Sequence, residues 1–218
     1  MLNRNDIRQL TGVSILTALV VVLQLLANVV SFGGIPLNLT LCPIIIGAAL
    51  YGPAAGALLG TVFGAVVVIT GFAGTGGAFA SLLCSLAPFA FVFSMTLKGT
   101  LSGLAAGVVY SVVTGKISGN ANSAELSREN KSDISGNNRN AAVVLAGIAA
   151  PLANTLAFVL SMFIFWRETL ESLAGGKNLL FYSVTGLVGV NFFIELGVNM
   201  VLAAAITSII RYVSRHKI

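Results

Sequence analysis

No position between Arg8 and Lys98 carries a formal charge, and apolar residues there run almost continuously instead of recurring on one face. That is the pattern of helices surrounded by lipid or by one another. Chain breakers divide the stretch. Residues 12–30 form a first apolar run of spanning length, too long for a signal-peptide core, closed by the polar turn Ser31-Phe32-Gly33-Gly34. Residues 37–51 (LNLTLCPIIIGAALY) predict a short second span, and Tyr51-Gly52-Pro53 turns the chain into a third over 53–70. Runs at 142–166 and 181–210 are again of spanning length. Between Gly71 and Gly115 two apolar pieces flank Lys98, so the chain has seven spans if both cross and six if the first re-enters or lies on the surface.

Basic residues decide between these, because short cytoplasmic loops collect Lys and Arg. With six spans, Arg4, Arg8, Lys116, Arg128, Lys131, Arg139, Arg211, Arg215 and Lys217 lie inside and only Arg167 and Lys177 outside. Seven spans give five inside against seven outside, the wrong asymmetry. The expected architecture is therefore an all-α integral membrane protein, a single membrane domain over 1–218 with six transmembrane helices and both termini cytoplasmic. Its fourth helix runs from about Thr96 to Gly115, after a re-entrant piece on the outer side. Residues 116–141, rich in Asn, Ser and charge without apolar periodicity, are expected to be a flexible cytoplasmic loop between helices 4 and 5.

Composition agrees and narrows the function. Hydrophobic residues make up 56% of the chain and charged residues 9%, against about 25% charged in a soluble domain. The one histidine, His216, lies in the C-terminal tail, which argues against a His-ligated metal site or a His-based triad. Cys42 and Cys84 are isolated in apolar sequence and read as small hydrophobes. The net charge of +5 sits at the ends of apolar segments, so it orients the chain in lipid and does not imply nucleic acid. Gly71-Phe-Ala-Gly-Thr-Gly-Gly77 lacks the lysine of a phosphate-binding loop, so uphill transport needs ion coupling or a borrowed ATPase.

Small residues recur at four-residue steps at Gly56, Gly60 and Gly64, at Gly99, Gly103 and Gly107, and at Ser14 and Ala18. Such stripes let helices approach closely in lipid; bundle packing within the chain is the expected use of the two glycine stripes, and a face for a partner subunit is the alternative for one of them. Two ionisable residues stand in apolar sequence, where a charge needs a cavity or a partner. Glu195 shares a stripe with Asn191 and Asn199 at i, i+4 and i+8, and Lys98 is the other. They can pair to hold two helices, or line a polar pocket with Asn154 of the Pro151-Leu-Ala-Asn154-Thr155 break; a ligand replacing one partner allows both.

The basic first helix, IPLNLTLCPIIIGAALYGPAAGALLGTVFG at 35–64, LKGTLSGLAAGVVY at 97–110, APLANTLAFVL at 150–160 and NFFIELGVNMVLAAAI at 191–206 resemble the substrate-binding S components of energy-coupling factor (ECF) transporters. The resemblance implies a non-enzymatic, cofactor-free protein of the bacterial plasma membrane. It would capture a water-soluble vitamin or related micronutrient from outside, then dock on a transmembrane coupling subunit that carries two ATPase subunits. It places partner docking on Ser14, Ala18 and Val22, and ligand contacts on Asn38, Thr40, Lys98, Asn154, Asn191 and Glu195. Lys98 tilts the ligand towards an acid such as pantothenate; riboflavin comes next, with Phe32, Phe79, Phe89, Phe91 and Tyr182 available for stacking. The alternatives are a stand-alone ion-coupled transporter in which Glu195 carries a proton, and a membrane scaffold without ligand.

Overall fold

The structure, a computed structural model, describes residues 4–29, 31–32, 35–36, 39–115 and 131–215. Helix α1 (Arg4–Val29) leads to a short antiparallel pair, β1 (Ser31–Phe32) and β2 (Ile35–Pro36), with Ser31 opposite Pro36. Helices α2 (Leu41–Tyr51) and α3 (Pro53–Phe72) meet at Gly52, whose φ of 95° suits only glycine. Then come α4 (Ala78–Leu86), α5 (Pro88–Val113), α6 (Lys131–Phe165), α7 (Arg167–Ala174) and α8 (Leu179–Tyr182). The last passes through a π turn, Ser183–Val188, into α9 (Gly189–Arg215). Pro53 and Pro88 begin their helices, where a missing N–H leaves no bond unmade.

Among the described residues, four helices are long and apolar enough to cross a membrane, over Asp6–Ala27, Pro53–Phe72, Pro88–Val113 and Arg139–Phe165. Their surfaces are those of lipid-facing helices: Ile15, Ile69, Phe89 and Ile164 are all largely exposed. Helix α4 has 9 residues, about 14 Å at roughly 1.5 Å per residue, and cannot cross a core of about 30 Å.

Two expectations need correction. The fourth apolar helix starts at Pro88, not near Thr96, so Lys98 lies inside a continuous helix and not near its start. Residues 131–141, expected to be loop, are the first turns of α6; once a helix is nucleated by its apolar part, extending it through polar residues costs little. Residues 116–130 lie outside the described residues.

The glycine stripes set the packing. A Cβ on Gly64 would lie 2.5 Å from the Met95 carbonyl oxygen, one on Gly60 2.7 Å from the Gly99 carbonyl carbon, and one on Gly103 2.5 Å from the Gly56 carbonyl carbon. Helices α3 and α5 thus run antiparallel, backbone on backbone, as expected of bundle packing through small residues. Thr61 and Thr100 share a hydrogen bond of 2.8 Å across the same contact. One apolar cluster, with Val20, Leu41, Ile44, Phe63, Tyr110 and Ile210 among its members, ties α1, α2, α3, α5, α6 and α9 together. A second gathers Leu83 and Cys84 of α4, Phe91 and Met95 of α5, Met162 of α6, Trp166 between α6 and α7, and Leu170 of α7. It covers the end of the bundle where α5 begins and α6 finishes.

Candidate functional site

A residue four positions further along an α-helix is rotated by only about 40°, so every fourth side chain shares a face. The α5 face next to the glycine stripe carries Ser94, Lys98 and Ser102, and the facing stripe of α6 carries Ala150, Asn154, Phe158 and Met162, with Trp166 following at the same spacing just past the helix end. Two contacts fix their antiparallel register. The Ser102 hydroxyl donates to the Ala150 carbonyl at 2.9 Å, and the Lys98 ammonium lies 5.1 Å from the Phe158 ring centroid. Lys98 leans towards the start of its own helix, as side chains on an α-helix do. There it also reaches within 6.0 Å of the Phe63 ring of α3. Phe79 of α4 packs edge-on against Phe158, 6.4 Å between centroids, and forms a roof over the seam.

The seam carries unspent hydrogen-bonding capacity. Ser94 Oγ and Asn154 Oδ1 are buried with no partner among the described residues, and Trp166 Nε1 is in the same condition two turns or more along the stripe from Phe158. A buried polar atom left unpaired costs about 1–3 kcal/mol, so this seam offers hydrogen-bonding groups that a polar partner can satisfy.

Helix α9 supplies the other wall. Glu195 is 4% exposed and acts electrostatically on both Lys98 and Cys42. One turn on, Asn199 is 1% exposed; its Oδ1 accepts from the Cys42 thiol at 3.6 Å, while its Nδ2 has no partner among the described residues. Opposite Asn199 the packing is open: a Cβ on buried Gly147 of α6 would meet only Asn199 Cβ, at 4.0 Å. Proline at 151 has no N–H to donate to the Gly147 carbonyl, which leaves a further acceptor on this stretch of α6.

Of the residues expected to bind ligand, Lys98, Asn154 and Glu195 come together around this seam. Thr40 is fully buried, but its hydroxyl donates to Gln24 Oε1 at 3.0 Å and ties α1 to the start of α2. Asn191 lies in α9 one turn before Glu195, and Asn38 lies outside the described residues. Ser94, Ser102, Phe158 and Trp166 were not singled out from sequence, although Ser94-Lys98-Ser102 is a polar stripe at four-residue spacing of the kind recognised around Glu195. Cys42 is a thiol donor to Asn199 and more than a small hydrophobe, whereas Cys84 is buried in the apolar cluster as expected.

On α1, the expected docking residues Ser14, Ala18 and Val22 are all exposed. Ser14 also borders a shallow groove of about 370 Å³ with Ile7, Leu10 and Thr11. The Ser14 hydroxyl donates to the Leu10 carbonyl at 2.9 Å, so it faces an apolar environment with its bond already made.

No curated protein and no solved structure gives a significant match to the chain. A family model described as "ECF transporter, substrate-specific component" matches residues 8–207.

Proposed function

The chain belongs to the family of substrate-specific components of ECF transporters, and from that premise we propose that it captures a water-soluble vitamin or related micronutrient in the α5/α6/α9 seam. The observation that carries the reading is the set of buried, unpartnered atoms Ser94 Oγ, Asn154 Oδ1 and Asn199 Nδ2 beside Lys98 and Glu195. Six spans with both termini cytoplasmic place the seam's roofed end, with α4 and α7, on the outside, where solute enters. α9 supplies a fifth crossing, and the apolar 37–51 segment, whose 11-residue helix α2 is about 17 Å long and covers only part of the core, the sixth.

Uptake then follows from docking on a coupling subunit with its two ATPases. The exposed Ser14-Ala18-Val22 face of α1 is the docking surface, because small residues let another helix come close in lipid. Ala18→Leu is expected to lower co-purification with the coupling module at least about tenfold while leaving solute binding within about twofold. Affinity capture and a binding isotherm on the same preparation check both halves. ATP-free vesicles distinguish this reading from ion-coupled transport: uptake by this chain alone, driven by an ion gradient, contradicts it.

A further inference from the structure

We propose that the captured solute carries no net charge and offers the α5/α6/α9 seam at least one hydrogen-bond donor and one acceptor. The inference rests on the capture reading above and adds the chemical class of the cargo. From sequence alone Lys98 favours an acid; its surroundings in the fold reverse that preference. The ammonium already has two aromatic faces, Phe158 at 5.1 Å and Phe63 at 6.0 Å, and lies in the field of the Glu195 carboxylate. Cation–π contacts and a nearby carboxylate together compensate a lysine away from water.

An anionic ligand on Lys98 would bring a second negative charge into the field of the Glu195 carboxylate, and like charges repel strongly in a low-dielectric setting. A cation would meet the same repulsion from Lys98. An uncharged solute leaves the internal balance intact and meets only the groups that lack partners. Those groups are of both kinds. Asn154 Oδ1 needs a donor, Asn199 Nδ2 and Trp166 Nε1 need acceptors, and Ser94 Oγ can play either part. An amide, a cyclic imide or a hydroxyl-bearing heterocycle supplies both, whereas a carboxylate offers acceptors alone.

The test uses matched pairs that differ in charge: pantothenol and pantothenate, nicotinamide and nicotinate, biotin amide and biotin, titrated against the purified full chain in detergent or nanodiscs. For whichever pair binds, the uncharged member is expected to bind at least about tenfold more tightly. Glu195→Gln releases Lys98 from its carboxylate and is expected to shift the preference at least about tenfold towards the acid; the wild-type comparison stands even if this variant does not fold. Tighter binding of the acid to the wild-type chain overturns the inference and leaves the capture reading in place. Binding of neither member of any pair, together with none of riboflavin, pyridoxine or thiamine, overturns the capture reading and this inference with it.

Discussion

Gly60→Leu is expected to abolish folded protein. A Cβ there would lie 2.7 Å from the Gly99 carbonyl carbon and 3.3 Å from Thr100 Cα, all backbone that no rotamer change can move. Overpacking against side chains typically costs about 1–3 kcal/mol because neighbours shift. Here α3 and α5 must separate along their length, which also undoes the Gly64–Met95 and Gly56–Gly103 contacts and the 2.8 Å Thr61–Thr100 hydrogen bond. The monodisperse peak in detergent size-exclusion chromatography should fall by about tenfold or more. Gly197→Ala is the control, since a Cβ at Gly197 meets nothing within 4 Å, and its profile should match the parent chain. A folded Gly60→Leu protein would mean that α3 and α5 are not in backbone contact.

The second large effect concerns the two charges. A directly bonded, fully buried ion pair loses about 3–5 kcal/mol when one member is removed; half-buried Lys98, coupled to Glu195 through its field, is expected to fall below that, at about 1–2 kcal/mol. Glu195→Ala leaves Lys98 against the Phe158 and Phe63 rings, and Lys98→Met leaves Glu195 in a wall it shares with Asn199. Each single variant is expected to lose about 2–8 °C of thermal stability in detergent, at roughly 2–4 °C per kcal/mol for a chain of this size. The double variant should lose less than the sum, because neither charge is then stranded. A thermal-shift double-mutant cycle reads this directly, and strictly additive losses would mean that the two residues do not act on each other.

How far the sequence reaches depends on what each feature needs. The glycine stripes were legible because a four-residue period is local, but their pairing, Gly60 on Gly99, is a tertiary fact. The start of α5 is harder to read, because a lysine in apolar sequence suggests a boundary near Lys98, although Pro88 carries the signal of a helix start. The α6 turns over 131–141 are written in Asn, Ser and charged residues that favour caps and loops on their own. At the site, Glu195, Lys98 and Asn154 stood out because polar residues in apolar sequence are costly. Phe158 did not, since a phenylalanine in a membrane helix is unremarkable until a lysine from another helix is found 5.1 Å from its ring. Trp166 was equally silent; only burial with an unpartnered Nε1 distinguishes it.

The central claim is that the α5/α6/α9 seam holds the solute, and native mass spectrometry of the detergent-extracted chain tests it most directly. The account predicts a 1:1 complex with one small molecule, lost in Asn154→Leu and in Ser94→Leu and retained in Ala18→Leu. Retention of the same molecule by both seam variants, with folded size-exclusion profiles, would contradict it.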